Sequence, residues 1–387
     1  MQRTVRAYTA ALIGDPDSSS VSAVMGVLAK AMPASARIVA GDYLERKNLA
    51  DRTKTFHIGC YAGDSLLDLI NCPLTFRNIA SALYQSDRIA WVIRPDELGD
   101  NLKRAIAAAG VFGVRSHVVV VNTGGLPADL RDPDLLEVMV AEVREAFGNL
   151  GTPIESSLTV DVSGPDQSAE SPQGVGDLAA YLLQNWLVPR LPAGVTSERP
   201  LIAVEQSYSV SGPSGKPARA GYGPVRGRPV AIGQTLTLLT VGGSSDQVRI
   251  AELQEFGQGV SEAVVGSSAA ILLQSAPKDR PKAGDILTDQ PERFQVTEDL
   301  SIELSVLPGE FAAQALGSLN GLDICIGMAC VSCKVTGFSA NDGDPRKGRV
   351  SLRSPVPIPT FPGQPVLAGT GADIVGWGVV DGVSRNG

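Results

Sequence analysis

The pattern of apolar and polar positions divides the chain into two halves of different kinds. Over about the first 190 residues, short apolar runs rich in β-branched residues alternate with stretches of helical periodicity. One helical stripe consists of Leu136, Met139, Val140, Val143 and Phe147. This alternation predicts a doubly wound α/β domain with a mostly parallel sheet. The predicted strands are 4–13, 54–60, 65–70, 88–94, 116–122 and 157–161, and the predicted helices are 20–32, 75–86, 97–110, 134–148 and 175–187.

The second half has a β-rich pattern. From residue 198 onward, short alternating segments are separated by Gly, Pro and Ser, without a long helical pattern. Such spacing favours closed or nearly closed antiparallel barrels. A proline-rich linker near residue 190 and a polar break at 275–294 mark the boundaries. The predicted domains are an α/β domain over 1–190 and two antiparallel β-barrel domains over 198–290 and 291–387.

The composition indicates a globular protein without a membrane span. Hydrophobic residues make up 43% of the chain and charged residues 19%, and no apolar run approaches the 18 residues of a membrane helix. The five cysteines are an odd number and lie mostly inside apolar runs, which suits a reducing cytoplasm better than a disulfide framework. We therefore expect a cytoplasmic protein with no membrane partner.

Three cysteines, Cys325, Cys330 and Cys333, have a spacing similar to that of iron–sulfur ligands. A cluster requires a fourth cysteine, and none follows Cys333. On one extended strand, Cys330 would also face opposite to the other two. We therefore predict buried thiols of a β core and no metal site.

The net charge of −8 argues against a protein that coats nucleic acid indiscriminately, and we expect no DNA partner. However, no acidic residue occurs between Glu205 and Asp246. The cations in that stretch are Lys216, Arg219, Arg226 and Arg228. Two interpretations stay open, a local basic patch for RNA and ordinary solvated loop charges.

Three segments of the first half follow one another as in a known family. They are LIGDPDSSSVSAVMGVLAK, LLDLINCPLTFRNIASALYQSDRIAWVI and SHVVVVNTGGL. They resemble, in the same order, the phosphate loop, the D-C-P-G-H stretch and the N-K-x-D strand of the elongation factor Tu family of translation GTPases. The second-half segments RPLIAVEQSYSVSG, PVAIGQTLTL, VRIAELQEFGQGVSEAVVGSSAAILLQ and GADIVGWGVVDGV resemble the two barrel domains of that family. The resemblance implies a P-loop-GTPase-like α/β domain followed by two β barrels.

The phosphate loop departs from the family's pattern. A working loop needs G-x-x-x-x-G-K-[ST], in which the lysine neutralises phosphate and the hydroxyl holds Mg²⁺. The matching positions are Gly14, Ser19, Ser20 and Val21, so the second glycine, the lysine and the metal hydroxyl are absent. We therefore expect no catalytic residues, no GTP hydrolysis and no GTP or Mg²⁺ cofactor.

The two other nucleotide motifs have changed as well. The D-C-P-G-H motif has become Asn71-Cys72-Pro73-Leu74-Thr75, and N-K-x-D has become Asn122-Thr123-Gly124-Gly125. The resemblance leaves a residual anion or nucleotide site at Gly14, Asp17, Ser18, Ser19, Ser20 and Asn122. An alternative is that the serines only cap the helix that follows. The two histidines, His57 and His117, fall in predicted strands, which indicates structural roles.

The family's pocket for the 3′ adenosine and amino acid of aminoacyl-tRNA matches four positions of the second half. They are Gln254, Phe256, Gly257 and Ser268. Phe256 keeps the family's residue, whereas Gln254 replaces a glutamate and Gly257 an arginine; the third-domain signature G-Y-R-P-Q-F-Y is absent. The candidate RNA-binding residues are Arg226, Arg228, Gln254, Phe256, Ser268, Arg346, Lys347 and Arg349, with Arg353 close by. The resemblance implies aminoacyl-tRNA, another RNA or the ribosome as a partner. The alternatives are a protein-interaction scaffold with no RNA role and a diverged translation factor that still binds nucleotide.

Overall fold

The structure is a computed structural model with two compact units, Met1–Leu191 and Pro192–Gly387. It describes residues 6–14, 21–40, 55–96, 98–162, 173–187, 201–211, 217–274, 277, 280–307, 319–341, 343–344 and 346–382. The predicted division of the second half at about residue 290 stays a prediction. No helix of the described residues is long and apolar enough to cross a membrane.

The first unit is built on a mixed sheet of seven strands. These are β1 (Arg6–Gly14), β2 (Ala36–Ala40), β3 (Phe56–Ala62), β4 (Ser65–Pro73), β5 (Arg88–Ile93), β6 (Ser116–Asn122) and β7 (Ser156–Val160). Their order is β2-β3-β4-β1-β5-β6-β7, in which the pairs from β4 through β7 are parallel and the pairs of β3 antiparallel. β6 is buried along its length, as expected of a strand covered on both faces.

Helices cover both faces of this sheet. They are α1 (Val21–Ala31), α2 (Phe76–Gln85), α3 (Asp100–Ala109), α4 (Pro133–Asn149) and α5 (Val175–Trp186). Val24 of α1 and Leu178 of α5 pack with Leu12 of β1 in one core. Of the predicted α4 stripe, only Val143 and Phe147 are buried. The predicted α/β class is confirmed, and β2 is a strand that the sequence pattern did not predict.

The second unit consists of antiparallel strands. They are β8 (Leu201–Ala203), β9 (Gln206–Ser211), β10 (Pro217–Arg226), β11 (Val230–Ala231), β12 (Thr235–Leu239), β13 (Ser245–Glu255), β14 (Gln258–Val260), β15 (Glu262–Ala263), β16 (Ser268–Gln274), β17 (Ile286–Thr288), β18 (Gln295–Ser305), β19 (Gly321–Ile326), β20 (Ala329–Ala340), β21 (Lys347–Thr360), β22 (Pro365–Thr370) and β23 (Asp373–Gly382). The pairings β12-β17-β8-β10-β16-β13 return to β12, so these strands form a ring, here called the strand ring. The order β18-β21-β20-β19-β22-β23 forms a closed barrel. The predicted β-barrel class is confirmed.

The cysteines correct one prediction. Cys325 and Cys330 lie opposite each other on β19 and β20 and form a disulfide, whereas Cys333 is a buried thiol. The prediction of buried thiols was wrong for this pair, because a tight turn between Ile326 and Ala329 places the two residues on adjacent strands. Their side chains therefore share one face, and Cys333 belongs to the core on the other.

Candidate functional site

The carboxyl ends of the parallel strands form the first candidate region, because ligands of doubly wound sheets bind at this edge. Gly14, the last residue of β1, pairs with Pro73 of β4 and Val92 of β5. Its carbonyl oxygen accepts a 2.9 Å hydrogen bond from the Leu74 N–H. The predicted anion-site residues Asp17, Ser18, Ser19 and Ser20 lie outside the described residues.

Neutral side chains join β4 to α1 at this edge. Asn71 is wholly buried and its Nδ2 donates a 3.0 Å hydrogen bond to Ser22 Oγ in the first turn of α1. Within the described part of the chain, Asn71 Oδ1 has no hydrogen-bond partner. Val21, at the position of the family's metal hydroxyl, is also wholly buried. The contact therefore presents a neutral amide and an apolar side chain, whereas proteins usually bind Mg²⁺ through one or two carboxylates.

Asn122 holds the end of β6 to the segment that follows β7. Its Oδ1 accepts the N–H of Gly124 at 3.0 Å and of Val162 at 2.9 Å. Its Nδ2 donates to the Val162 carbonyl at 3.0 Å. The side chain of Asn122 is wholly buried, and three of its hydrogen bonds go to backbone atoms. Thr123, in the position of the base-packing lysine, donates its Oγ1 hydroxyl to the Val160 carbonyl at 3.1 Å.

Two ion pairs lie at the same edge. Arg94, the residue after β5, donates from Nε to Asp96 Oδ1 at 2.9 Å, and the hydrogen bonds from Arg94 lower the pKa of Asp96. Arg131 lies 3.7 Å from Asp161, the residue after β7. Both arginines therefore face a carboxylate that a bound phosphate would have to displace.

The two histidines are structural. His57 lies in β3 and its Nδ1 is 2.9 Å from Asp68 Oδ1 of β4, with both side chains buried. His117 lies in β6, and its Nδ1 accepts a 3.2 Å hydrogen bond from Trp91 Nε1. Burial lowers the pKa of His117 to about 4, so this ring is neutral near pH 7.

The second candidate region lies on the outer face of the strand ring. Gln254 of β13 pairs with Ala270 of β16, and Ser268 of β16 pairs with Pro224 of β10, two residues before Arg226. Gln254 is exposed, whereas Ser268 is wholly buried. Within the described residues, Ser268 Oγ has no hydrogen-bond partner. The fold thus brings Gln254, Ser268 and Arg226 to three adjacent strands.

Phe256 occupies an unusual backbone conformation at this region. It forms, with Gly257, the two-residue turn between β13 and β14, and the flanking residues Glu255 and Gln258 pair. Phe256 has φ 47° and Gly257 φ 75°, values that suit the primed turns of tight hairpins. In the described chain, Phe256 is the one non-glycine residue with positive φ. A bulky residue in this region costs roughly 1–2 kcal/mol, and sequence reasoning had no signal for it.

Most of the predicted RNA-binding arginines pair with carboxylates. Arg228 pairs with Asp289 next to the strand ring. On the closed barrel, the pairs are Arg346–Asp344, Arg349–Asp381 and Arg353–Glu298. Lys347 and Arg349, with Glu303, Ser339 and Asn341, line a shallow cavity of about 200 Å³. These three arginines of the closed barrel are therefore locally balanced.

No family model matches the chain. The chain is 25% identical over 213 residues to elongation factor Tu 2 of Streptomyces avermitilis, a match that covers 54% of this chain and 52% of that protein. This match confirms the predicted resemblance to the elongation factor Tu family. The match spans about half of that relative's length.

Solved structures share the fold of this chain. The elongation factor SelB of Methanococcus maripaludis, in complex with the GTP analogue GppNHp, matches with a TM-score of 0.72 and 13% identity, over 100% of this chain and 81% of that one. A bacterial selenocysteine-specific elongation factor, EF-Sec, matches with a TM-score of 0.69 and 16% identity, over 96% of this chain and 58% of that one. At these identities the likeness concerns the fold.

Proposed function

We propose that this chain is a translation-factor-like protein of the cytoplasm that binds aminoacyl-tRNA, or another RNA or ribosomal partner, without hydrolysing GTP. The elongation factor Tu-like fold supports a role connected with translation. The altered edge of the first sheet supports independence from nucleotide.

The described residues at that edge do not fit GTP with Mg²⁺. A triphosphate needs clustered positive charge and a divalent ion. Asn71 supplies a neutral amide bonded to Ser22, and Arg94 is already paired with Asp96. Asn122 uses its side chain to bind the backbone of Gly124 and Val162. We therefore propose a function that does not depend on a bound nucleotide.

The observation that carries the RNA proposal is the strained turn at Phe256. Residues in sparsely populated backbone regions persist where the surroundings hold them, and they cluster at ligand sites. Phe256 is half-buried at a hairpin tip, two residues from the exposed Gln254. An aromatic ring is a suitable stacking platform for a terminal base, and stacking contributes about 1–3 kcal/mol per base. Arg226, on the neighbouring part of the ring, would contact phosphate.

Titration calorimetry with aminoacylated and deacylated tRNA tests the proposal. We expect binding that weakens with salt, with preference for the charged tRNA, because cations release counterions from phosphate. The double substitution Arg226→Glu and Arg228→Glu should weaken binding and flatten its salt dependence. Unchanged binding by this variant would exclude the patch as the site.

A matched titration with GTP, GDP and ATP, with and without Mg²⁺, tests the other half of the proposal. We expect no binding of GTP. Tight Mg²⁺-dependent GTP binding would overturn the assignment, whatever the result with tRNA. The same tRNA series repeated with GTP present should give unchanged affinities.

A protein-interaction scaffold is the second candidate, and the exposed side chains of α4 favour it. Val138 is 54% exposed and Leu135 37% exposed, although both are apolar. Such side chains in proximity are typical of surfaces that bind proteins. Recovery of a protein, and no RNA, from a lysate passed over the full chain, together with loss of that protein in Val138→Glu, would favour this candidate.

A further inference from the structure

A disulfide lies one residue pair from the tip of the hairpin formed by β19 and β20. Cys325 pairs with Cys330 across the two strands, and the next pair toward the tip is Ile326 with Ala329. The two cysteine Cα atoms are 4.1 Å apart. The bond therefore fixes the register of the hairpin tip, here defined as residues 325–330.

This hairpin tip contacts the strand ring. Gly284 approaches Ala329 so closely that a Cβ atom at residue 284 would lie 3.0 Å from the Ala329 Cα. Val241 packs against the hydrophobic core of the closed barrel. The Gly242 N–H donates to the Pro357 carbonyl at 2.9 Å. The tip is thus part of the contact between ring and barrel.

The ring side of this contact is held by its own ion pair. Arg280 Nη1 donates to Asp285 Oδ1 at 2.8 Å, and Arg280 Nη2 donates to the Val241 carbonyl at 2.8 Å. The Val241 N–H donates to the same Asp285 oxygen at 2.9 Å. These hydrogen bonds hold Val241 in place within the strand ring. A loosening of the contact between ring and barrel would therefore begin at the hairpin tip.

The two cysteines differ in their exposure to solvent. Cys325 is buried, whereas Cys330 is partly exposed on the outer face of the barrel. Cys333 faces the core, and burial raises the pKa of its thiol to about 11, which disfavours exchange with the pair. The partly exposed Cys330 is therefore the half of the bond at which a thiol reductant can attack.

We propose that the Cys325–Cys330 bond is redox-reversible and sets how firmly the hairpin tip is held against the strand ring. A cytosolic disulfide is usually a transient, sensing one, and this step rests on the cytoplasmic setting of the proposed function. The electron donor is a dithiol protein or small dithiol. Its thiolate attacks Cys330 Sγ, and Cys325 leaves as a thiolate that takes a proton. The second donor thiolate then resolves the mixed disulfide and releases Cys330, which takes a second proton, while the donor becomes a disulfide.

Thiol counting on the full chain tests whether the bond exists. Alkylation after denaturation should modify three of the five cysteines, Cys60, Cys72 and Cys333, without reductant, and all five after dithiothreitol. Five modified cysteines in untreated protein isolated in air would overturn the proposal. This count needs neither RNA nor nucleotide, so it fails or succeeds separately from the proposed function.

Hydrogen exchange tests the coupling to the ring. Dithiothreitol should raise amide exchange several-fold in residues 321–335 and at Gly242, whose N–H donates to the Pro357 carbonyl across the contact. The variant Cys325→Ala with Cys330→Ala should match reduced wild type and ignore dithiothreitol, whereas Cys60→Ala should keep the full response. Faster exchange confined to residues 321–335 would overturn the proposed control of the ring contact.

Discussion

The side-chain amide of Asn71 donates a 3.0 Å hydrogen bond to Ser22 Oγ, which joins β4 to the first turn of α1. Both partners are uncharged, and Asn71 is wholly buried. In a site built for a divalent cation, this position calls for a carboxylate. The pair instead stabilises the sheet edge as part of the folded core.

Restoring the carboxylate should cost stability. The substitution Asn71→Asp buries a charge and should lower the free energy of unfolding by about 1–3 kcal/mol near pH 7. Burial raises the pKa of such a carboxyl above its unfolded value of about 3.9, so the cost grows as pH rises from about 4. Urea unfolding at pH about 4 and about 7.5 measures this difference. A cost that is equal at both pH values, or a gain of Mg²⁺-dependent GTP binding, would contradict the interpretation.

Asn122 should behave as a structural residue. The substitution Asn122→Ala leaves the N–H groups of Gly124 and Val162 without this acceptor, and should lower the free energy of unfolding by about 2–3 kcal/mol. Chemical denaturation of the purified chain checks the value. Asn78→Ala is the matched control, because the hydrogen bond from Asn78 Nδ2 to the Pro73 carbonyl is longer, at 3.3 Å, and only part-buried. Equal costs for the two variants would count against a central role for Asn122.

Phe256 should lower the free energy of unfolding while it strengthens the binding of RNA. The substitution Phe256→Asn suits positive φ and should raise the free energy of unfolding by about 1 kcal/mol, while it removes the ring proposed to stack on a base. Thermal unfolding and tRNA titration of one preparation measure both effects. Gly257→Ala, at φ 75°, is the control and should lower stability. A Phe256→Asn variant that is more stable and binds tRNA as tightly as wild type would remove Phe256 from the site.

His117 should give the first unit a pH-dependent stability. Its pKa of about 4 in the folded state lies below the unfolded value of about 6.5, because burial disfavours the charged ring. Stability is therefore full above pH about 6.5 and declines as pH falls toward about 4, by about 3 kcal/mol. Urea titrations across this range should show a shallower slope in His117→Gln, whose amide oxygen can still accept from Trp91 Nε1. If the free energy of unfolding of His117→Gln falls with pH as steeply as that of wild type, other titratable groups cause the pH dependence.

The helices and most strands follow from local periodicity, because burial on one side of a helix or on both sides of a strand leaves a repeat in the sequence. The predicted helix 75–86 is Phe76–Gln85, and the predicted strand 116–122 is Ser116–Asn122. The edge strand β2 was missed because its five residues carry too short a pattern. The departures from the family's nucleotide motifs are likewise readable from the sequence, since each motif depends on residue types at fixed spacing.

Pairing across the chain was decided by the tertiary structure. The sequence determined which residue types stand at the altered motifs and which segments alternate. Only the fold opposed Cys325 to Cys330, brought Asp381 to Arg349 and Asp289 to Arg228, and placed Phe256 at positive φ. These relationships depend on strand register and turn geometry, which set distances between residues far apart in sequence and leave no local periodic signal.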